Sequence, residues 1–298
     1  MTASPAIRVE TPAKVNLGLE ILGRREDGYH ELRSVLSLIN ITDDVTFTPT
    51  EIAGEATIQG VPGVTPSENL ITRAIELFRE RTESTLGMSV RVIKRIPAPA
   101  GLGSASSNAA ATLLAMNKLH GSPLPESELA ELGARLGSDV PFFLGTATAS
   151  VSGTGTTLDP LPTPAGWLLV VMPQIDLIAK TAKLYGMIEP EDYSDGSRID
   201  RLCDQLRAGD VVDPQLLGNA FERPLRKLMP YTRKIIRVMK AAGCEQVALS
   251  GAGPAHYALF ADEDSAREAM TKVRAELGTH DYSVVTSFRP AALRDVIA

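Results

Sequence analysis

The stretch that decides the fold is Pro97-Ala98-Pro99-Ala100-Gly101-Leu102-Gly103-Ser104-Ala105-Ser106-Ser107. It follows a strand-like segment, Met88 to Ile96, and precedes an alanine-rich segment, Asn108 to His120, whose composition predicts a helix. Small residues let a backbone approach a ligand closely, and the first amides of a helix lack partners within it, so the two together favour an anion site. The stretch therefore predicts a phosphate-binding loop. A flexible loop before a well-capped helix is the plain structural alternative.

The loop differs from the common nucleotide-binding signatures. No Gly-Lys-Ser/Thr follows it, which excludes a P-loop, and Ser106 stands where the dinucleotide fingerprint needs its third glycine. The protein-kinase signatures are absent from the chain as well. Ser106 and Ser107 can cap the helix, bind phosphate oxygens or help to hold a metal ion.

The composition is that of an ordinary globular chain, with 298 residues, 44% of them hydrophobic and 22% charged, which is long enough for two lobes. A net charge of −6 disfavours nucleic acid or an anionic membrane as a partner. Two distant cysteines and four scattered histidines indicate neither a disulfide framework nor a zinc site. Neither a leader pattern nor an apolar run long enough to cross a bilayer is visible, so a cytoplasmic protein is expected.

The N-terminal part is rich in strand signals. Apolar side chains alternate from Ala13 to Leu22, which is the period of a half-buried strand, and further strands are predicted over Leu32 to Ile41 and over Asp44 to Thr50. Pro66-Ser67-Glu68-Asn69 opens a helix. We expect a first lobe over residues 1–158, with the last strand, near 283–298, as a candidate to complete it.

The C-terminal part, residues 159–298, mixes helices with strands that we expect to be mostly antiparallel. It begins after a proline-rich linker, and its predicted elements are the strands Trp167 to Met172, Gln246 to Leu249, His256 to Phe260 and Tyr282 to Phe288, with a helix over Asp264 to Leu277 before the last strand. This order indicates an α+β lobe of the split βαβ type.

Three segments resemble the motifs of the GHMP kinases, in the order of that family. Pro12-Ala13-Lys14-Val15-Asn16-Leu17 is similar to the first motif, the loop at 97–107 to the second, and Leu249-Ser250-Gly251-Ala252-Gly253-Pro254 to the third. The resemblance spans nearly the whole chain. It implies a two-lobed α+β fold, with an N-terminal lobe like ribosomal protein S5 domain 2 and a C-terminal ferredoxin-like lobe. It also implies ATP as the phosphoryl donor and Mg²⁺ as its metal, whose protein ligands stay unassigned.

Two further segments narrow the resemblance to the diphosphocytidyl-methylerythritol kinases. They are Arg24-Arg25-Glu26-Asp27-Gly28-Tyr29-His30-Glu31-Leu32 and Gly137-Ser138-Asp139-Val140-Pro141-Phe142-Phe143. The implied reaction transfers the γ-phosphoryl group of ATP to the 2-hydroxyl of a cytidine diphosphate-linked methylerythritol, in non-mevalonate isoprenoid synthesis, by a monomer or homodimer. A mevalonate- or homoserine-type kinase and a catalytically silent sensor with this fold stay open as alternatives.

The resemblance gives Asp139 the role of general base and Lys14 that of its partner. Lys14 and Asn16 stand two residues apart on a predicted strand, so they share a face and can line one pocket. On residue chemistry alone, Asp139 could equally be a turn or N-cap carboxylate, and Lys14 a solvated strand residue.

The remaining site residues also follow from the resemblance. For the nucleotide they are Pro97, Ala98, Pro99, Ala100, Gly101, Leu102, Gly103, Ser104, Ala105, Ser106 and Ser107, with Asn69 and Lys94 near adenine. For the substrate they are Asn16, Tyr29, His30, Thr181, Tyr185, Gly251 and Gly253, with Tyr29 stacked on cytosine, His30 bonded to its edge and Tyr185 on its other face. Lys94 as an exposed strand lysine, Asn69 as a helix-start residue and Tyr185 as a packed helix tyrosine are the structural alternatives. Ala100, Ser104 and Ala105 replace glycines often found in this loop, so we expect it to sit differently around a triphosphate.

Overall fold

The computed structural model describes residues 6–174, 180–278 and 281–297, with the backbone alone at residue 180. A first β-sheet takes up the N-terminal part. Its strands are β1 (Ile7–Arg24), β2 (His30–Thr50), β3 (Ala56–Gln59), β4 (Gly87–Ile93), β5 (Thr148–Gly153) and β6 (Thr157–Pro160). They lie in the order β3-β4-β2-β5-β6, with β1 paired along β2, and only the β3–β4 pair is parallel.

Four helices complete the layer on this sheet: α1 (Leu70–Thr82), α2 (Ser104–Leu119), α3 (Glu126–Leu136) and α4 (Val140–Gly145). The apolar residues of α1 recur at helical spacing, and Ile71, Ala74, Ile75 and Phe78 are all buried. They pack with α2 and with strand residues such as Phe47 in one hydrophobic cluster. This packing fixes the helix that begins at the predicted phosphate loop.

A second sheet occupies the C-terminal part, with β7 (Trp167–Met172), β8 (Ala248–Leu249), β9 (His256–Phe260) and β10 (Tyr282–Ser287). The helices there are α5 (Lys180–Tyr185), α6 (Ser197–Ala208), α7 (Glu222–Leu228), α8 (Thr232–Ala241), α9 (Glu263–Leu277) and α10 (Leu293–Ile297). The strand order is β10-β7-β9-β8 and every pair is antiparallel. This fourth-first-third-second order is that of a split βαβ lobe, and the predicted α+β fold is confirmed.

The two sheets share a hydrophobic cluster. It joins Val15 and Ile39 of the first sheet to Leu168, Val170 and Tyr257 of the second. The shared core holds β1, which carries Lys14, against the strands that carry the third glycine-rich motif.

Two predicted strands proved to be one. Residues 32–41 and 44–50 lie in a single strand, β2, because Asp43 and Asp44 continue the pairing with Thr11 and Glu10 of β1. Both carboxylates are buried and bonded, so they do not act as turn residues.

The loop predicted over residues 97–107 is shorter in the structure. Helix α2 begins at Ser104, so Ser104 to Ser107 form its first turn and only residues 97–103 are loop. Gly103 takes the N-cap position with φ 76°, a left-handed conformation that suits glycine.

Completion of the first lobe by the segment near 283–298 stays a prediction. Strand β10 pairs with β7 of the second sheet, while the segment after it returns to the first lobe as α10, whose Leu293 and Ile297 enter the first hydrophobic cluster. An antiparallel bridge between Phe288 and Ile39 of β2 and the apolar face of α10 together make the return. The division near residue 158 stays a prediction.

Within the three described ranges, no helix combines the length and the apolar character that crossing a membrane requires.

Candidate active site

Lys14 and Asp139 meet at the junction of the two lobes. The Lys14 side chain is only 4% exposed, and its Nζ lies 3.4 Å from Asp139 Oδ2. Asp139 stands at the N-cap position of α4, yet its side chain makes no capping hydrogen bond. The Asp139 side chain therefore does not cap the helix, and its carboxylate pairs with Lys14 instead. The Asp139 side chain is 35% exposed.

Asn16 holds the lysine in place. Lys14 Nζ donates to Asn16 Oδ1 at 2.6 Å, and Asn16 Nδ2 donates to Ser34 Oγ at 2.8 Å. The Tyr257 hydroxyl donates to the Asn16 carbonyl oxygen at 2.8 Å. These buried bonds orient the asparagine amide, and the predicted shared face of Lys14 and Asn16 is present in the structure.

A cavity of about 210 Å³ surrounds this pair. It brings together Lys14, Asp139 and four of the predicted substrate residues, namely Asn16, Thr181, Tyr185 and Gly251. Gly101 and Gly103 of the phosphate loop border the same cavity. A ligand placed there would touch the ion pair and the loop at once.

The phosphate loop lines a neighbouring cavity of about 410 Å³ with every residue from Pro97 to Ser106. Thr181, Ala182, Ala252 and Gly253 of the second lobe form its other wall. No side chain caps the N-terminus of α2, so the first amides of a long helix remain for an anion. Ser107 lines neither cavity, and its buried Oγ has no hydrogen-bond partner among the described residues.

The third glycine-rich motif clamps this loop from the second lobe. Ser250 Oγ donates to the Gly101 carbonyl oxygen at 3.0 Å, and the Ala255 amide donates to the Ala100 carbonyl oxygen at 3.1 Å. Gly101 has φ 82°, and a Cβ there would lie 2.2 Å from the Ser250 carbonyl oxygen. From the first motif, the Lys14 amide donates to the Leu102 carbonyl oxygen at 2.9 Å. The three motifs therefore meet on one loop.

Asn219 supports the third motif, and sequence reasoning missed it. Its Nδ2 donates to the carbonyl oxygens of Leu249 at 2.9 Å and Gly251 at 2.8 Å, while its Oδ1 accepts from the Phe221 amide at 2.9 Å. The residue lies in an irregular segment before α7, with no motif around it that could have pointed to it.

An aromatic group lies beside the ion pair. The rings of His30 and Tyr185 stack with centroids 5.3 Å apart, and Phe221 meets Tyr185 edge-on at 4.8 Å. Burial and the charge of Arg24 lower the pKa of His30, which favours the neutral imidazole. Burial, with Asp139 nearby, raises the pKa of Tyr185 and keeps its phenol protonated. Phe221 was not predicted.

Tyr29 does not join this group. Its side chain is 67% exposed and it lines none of the cavities described here. Its stacking on cytosine stays a prediction.

A third cavity, of about 660 Å³, contains both adenine candidates, Asn69 and Lys94. Asn69 Oδ1 accepts from the Ile71 amide at 3.0 Å and caps α1, as the helix-start alternative proposed. The Lys94 ammonium pairs with the Asp43 carboxylate and donates to Ser104 Oγ. Residues 61–64, between β3 and α1, also line this cavity and were not predicted. Adenine binding by Asn69 and Lys94 stays a prediction.

The residues present suit Mg²⁺ that arrives with a nucleotide. Over the part of the chain that the structure describes, no three or more His, Cys, Asp or Glu side chains are grouped to hold a metal. Mg²⁺ usually keeps several waters and binds through substrate phosphates with one or two carboxylates. The Asp139 carboxylate at one cavity and the Ser106 hydroxyl position at the other fit that pattern.

Comparison with known proteins agrees with this geometry. Residues 69–146 match the N-terminal domain of the GHMP kinases, and residues 196–279 match their C-terminal domain. The chain is 39% identical to a 4-diphosphocytidyl-2-C-methyl-D-erythritol kinase of Dehalococcoides mccartyi over 277 residues, which cover 92% of this chain and 96% of that relative. It is 37% identical to the kinase of the same name from Marinobacter nauticus, with 88% of each covered.

A solved structure gives the same answer. The crystal structure of a 4-(cytidine 5'-diphospho)-2C-methyl-D-erythritol kinase superposes with a TM-score of 0.80 at 33% identity, covering 95% of this chain and all of that one. Each of these identities exceeds 30% over most of both chains. The chain therefore belongs to the GHMP kinases, in the family of the 4-diphosphocytidyl-2-C-methyl-D-erythritol kinases.

Proposed function

We propose that this chain transfers the γ-phosphoryl group of ATP to the 2-hydroxyl of 4-diphosphocytidyl-2-C-methyl-D-erythritol, a step of non-mevalonate isoprenoid precursor synthesis. The observation that carries the proposal is the Lys14 ammonium 3.4 Å from the Asp139 carboxylate, in a cavity that the phosphate loop borders. The relatives from Dehalococcoides and Marinobacter carry the name of this activity and match along most of their length.

The pair suits attack by an alcohol on a phosphoryl group. The substrate oxygen forms a bond to the γ-phosphorus, the bond from that phosphorus to the β–γ bridging oxygen breaks, and ADP leaves. Asp139 takes the hydroxyl proton, and the Lys14 ammonium orients the carboxylate and stabilises the negative charge that develops. Phosphoryl transfer depends mainly on such positioning and charge stabilisation.

The phosphate loop and the third motif would hold the triphosphate. The amides at the start of α2 attract anions. Thr181, Gly251 and Gly253, the proposed substrate contacts, border the same two cavities. Mg²⁺, held by the phosphates with Asp139 and Ser106, would supply neutralisation of their charge.

The aromatic group suits a pyrimidine. A neutral His30 has one ring nitrogen that donates and one that accepts, so it can pair with the edge of cytosine. Tyr185, backed by Phe221, offers a flat face. A base stacked between His30 and Tyr185 would require their ring centroids to lie about 7 Å apart, since it makes one van der Waals contact with each ring. In the structure the two centroids lie 5.3 Å apart. The two rings must therefore separate, or the base must bind beside the stack.

ADP release with three acceptors tests the proposal. We expect turnover with the diphosphocytidyl substrate and only background rates with mevalonate or homoserine, and phosphorus NMR of the product should place the new phosphate on the 2-hydroxyl. Turnover with mevalonate or homoserine alone would reassign the acceptor. Binding of the diphosphocytidyl compound without ADP release would indicate a sensor instead. The cytoplasmic location, the lack of a nucleic-acid partner and the monomeric or dimeric state stay predictions.

A further inference from the structure

Asp43 is a fully buried carboxylate in the middle of β2. It lines none of the three cavities described above. Its Oδ1 accepts from the backbone amides of Arg95 and Ile96, each at 2.8 Å. These amides come directly before the phosphate loop, so this oxygen holds the entrance of the loop.

The other oxygen holds the exit of the loop. Asp43 Oδ2 accepts from Ser104 Oγ at 2.8 Å and from Asn108 Nδ2 at 3.3 Å. Both residues belong to the first turns of α2. The Lys94 ammonium, also before the loop, pairs with the same oxygen.

A carboxylate is the side chain that fits this position. Strand β4 ends at Ile93, so the amides of Arg95 and Ile96 lie beyond its ladder and need acceptors within the protein. An ionised carboxylate accepts hydrogen bonds at both oxygens. In an asparagine, an NH₂ group would replace Oδ2 and would face three donors, the Lys94 ammonium, Ser104 Oγ and Asn108 Nδ2. Burial of a charge is tolerated when it is paired and hydrogen-bonded, and five donors surround this one.

We propose that Asp43 is a positioning residue for ATP, which fixes the distance between the two ends of loop 97–103 and so places its backbone for the triphosphate. This rests on the proposed function only in that the loop binds ATP. Lys94 acts here as the counter-ion of Asp43, and this ion pair helps to fix the segment directly before the loop. Asp43 itself lines none of the three cavities, so its effect on ATP binding passes through the groups that it bonds, namely the two ends of the loop and Lys94.

Asp43→Asn tests the proposal, with Asp44→Asn as its matched control. Asp44 is the next residue, 4% exposed, and it bonds the guanidinium groups of Arg8 and Arg95, with no bond to the backbone amides before the loop or to α2. We expect Asp43→Asn to raise the Kd of a non-hydrolysable ATP analogue and the KM for ATP tenfold or more, with the KM for the acceptor within twofold of wild type. Asp44→Asn should leave all three values within twofold.

The analogue is measured by calorimetry without an acceptor, so the result is readable even if the proposed acceptor is wrong. A Kd for Asp43→Asn equal to that of wild type or of Asp44→Asn would overturn the proposal. So would parallel increases in the KM for ATP and for the acceptor, which general loosening of the fold would give. Should Asp43→Asn fail to fold, Asn108→Ala removes a bond to the carboxylate without changing a residue of the predicted phosphate loop. Its Kd for the analogue should then rise at least threefold, and an unchanged value would overturn the proposal.

Discussion

At the scale of single residues, the backbone conformation of Asp139 explains why its carboxylate is available. A capping residue normally has extended backbone angles, which turn its side chain toward the first amides of the helix. Asp139 has φ −82° and ψ −15°, and its side chain pairs with Lys14 instead. The carboxylate is thereby left free of the helix and available for the proposed proton transfer.

Removing the base tests this assignment. Asp139→Asn should lower kcat by about 10²–10⁴-fold, the range for general-base catalysis, with the Kd of a non-hydrolysable ATP analogue within about threefold. ADP release and calorimetry measure the two quantities. Asp264→Asn, an exposed aspartate on α9, makes the same chemical change far from the motifs and should act like wild type. Full turnover by Asp139→Asn would exclude this residue as the base.

The buried His256 makes stability depend on pH. Burial lowers its pKa to about 4, against the opposing effect of the hydrogen bond that its Nδ1 makes to the Pro254 carbonyl oxygen. The unfolded chain takes up a proton near pH 6.5 and the folded chain only near pH 4, so the folded state loses stability as the pH falls between these values.

His256→Asn keeps a donor near that carbonyl and removes the titration. Between pH 7 and pH 5, the variant should lose about 2 kcal/mol less free energy of unfolding than wild type. Urea unfolding at pH 7 and pH 5 gives this loss for the variant and for wild type. The contributions of the other titrating groups are the same in both proteins and cancel when the two losses are subtracted. Identical losses would show that the pKa of His256 is not lowered in the folded protein.

Individual site residues were the feature that the sequence predicted least completely. Lys14, Asp139 and the loop could be located because each lies in a motif with a recognisable pattern. Asp43, Asn219 and Phe221 have no such pattern, since their partners are brought to them only by the fold: Asp43 binds Ser104, 61 residues away. Tyr29 shows the converse, because it lies in a matching segment yet is exposed.

At the scale of elements, the contact between Gly101 and the third motif sets the position of the loop. Gly101→Ala adds a Cβ 2.2 Å from the Ser250 carbonyl oxygen, on a residue with φ 82°. We expect the KM for ATP to rise about tenfold or more as the loop is displaced, because small misplacements of a binding group are costly. Steady-state kinetics with varied ATP measure this.

Gly121→Ala provides the control for backbone strain. Gly121 has φ 75°, and nothing lies within 4 Å of the point that an added Cβ would occupy, so the strain of about 1–2 kcal/mol is similar but no collision occurs. Its KM for ATP should equal that of wild type. A tenfold increase in both variants would assign the effect to general destabilisation.

Element boundaries were predictable where the local pattern decides them. Strand β7 runs from Trp167 to Met172 and β9 from His256 to Phe260, as the apolar runs predicted. Strand β2 and the start of α2 were misjudged because tertiary contacts decided them. The break predicted between Ile41 and Asp44 is absent because Asp43 continues the pairing with β1, and Ser104 joins the helix because Gly103 can take a positive φ.

At the scale of the whole molecule, α10 returns from the second sheet to the first lobe. Leu293→Ala should lower the free energy of unfolding by about 2–5 kcal/mol, as for a buried leucine in a well-packed core. Trp167, the only tryptophan, lies in the second sheet, whereas Leu293 packs in the cluster of the first lobe, so the fluorescence of Trp167 reports unfolding of the other sheet. We expect its urea midpoint to shift because the two sheets share a hydrophobic cluster.

Val296→Ala on the same helix removes an apolar side chain that is 48% exposed, and it should change the free energy of unfolding by no more than about 0.5 kcal/mol. If Leu293→Ala leaves the urea midpoint measured by Trp167 fluorescence unchanged, the two lobes unfold independently.

The overall architecture was the most predictable level, because the order of strands and helices in the C-terminal part already specified a split βαβ sheet. The route of the last segment was not predictable. A five-residue stretch such as Leu293 to Ile297, with Arg294 and Asp295 between its apolar residues, fits either a strand or a helix until its packing partner is known.

The clamp between Gly101 and Ser250 bears on how such enzymes can be recombined. Chimeras of related kinases are conveniently joined near the middle of the chain, which would take residues 97–103 from one parent and residues 249–255 from the other. Here those segments share hydrogen bonds and leave no room for a methyl group at their contact. Hybrid genes should therefore inherit both segments from one parent, and hybrids that divide them should bind nucleotide poorly however well each half folds.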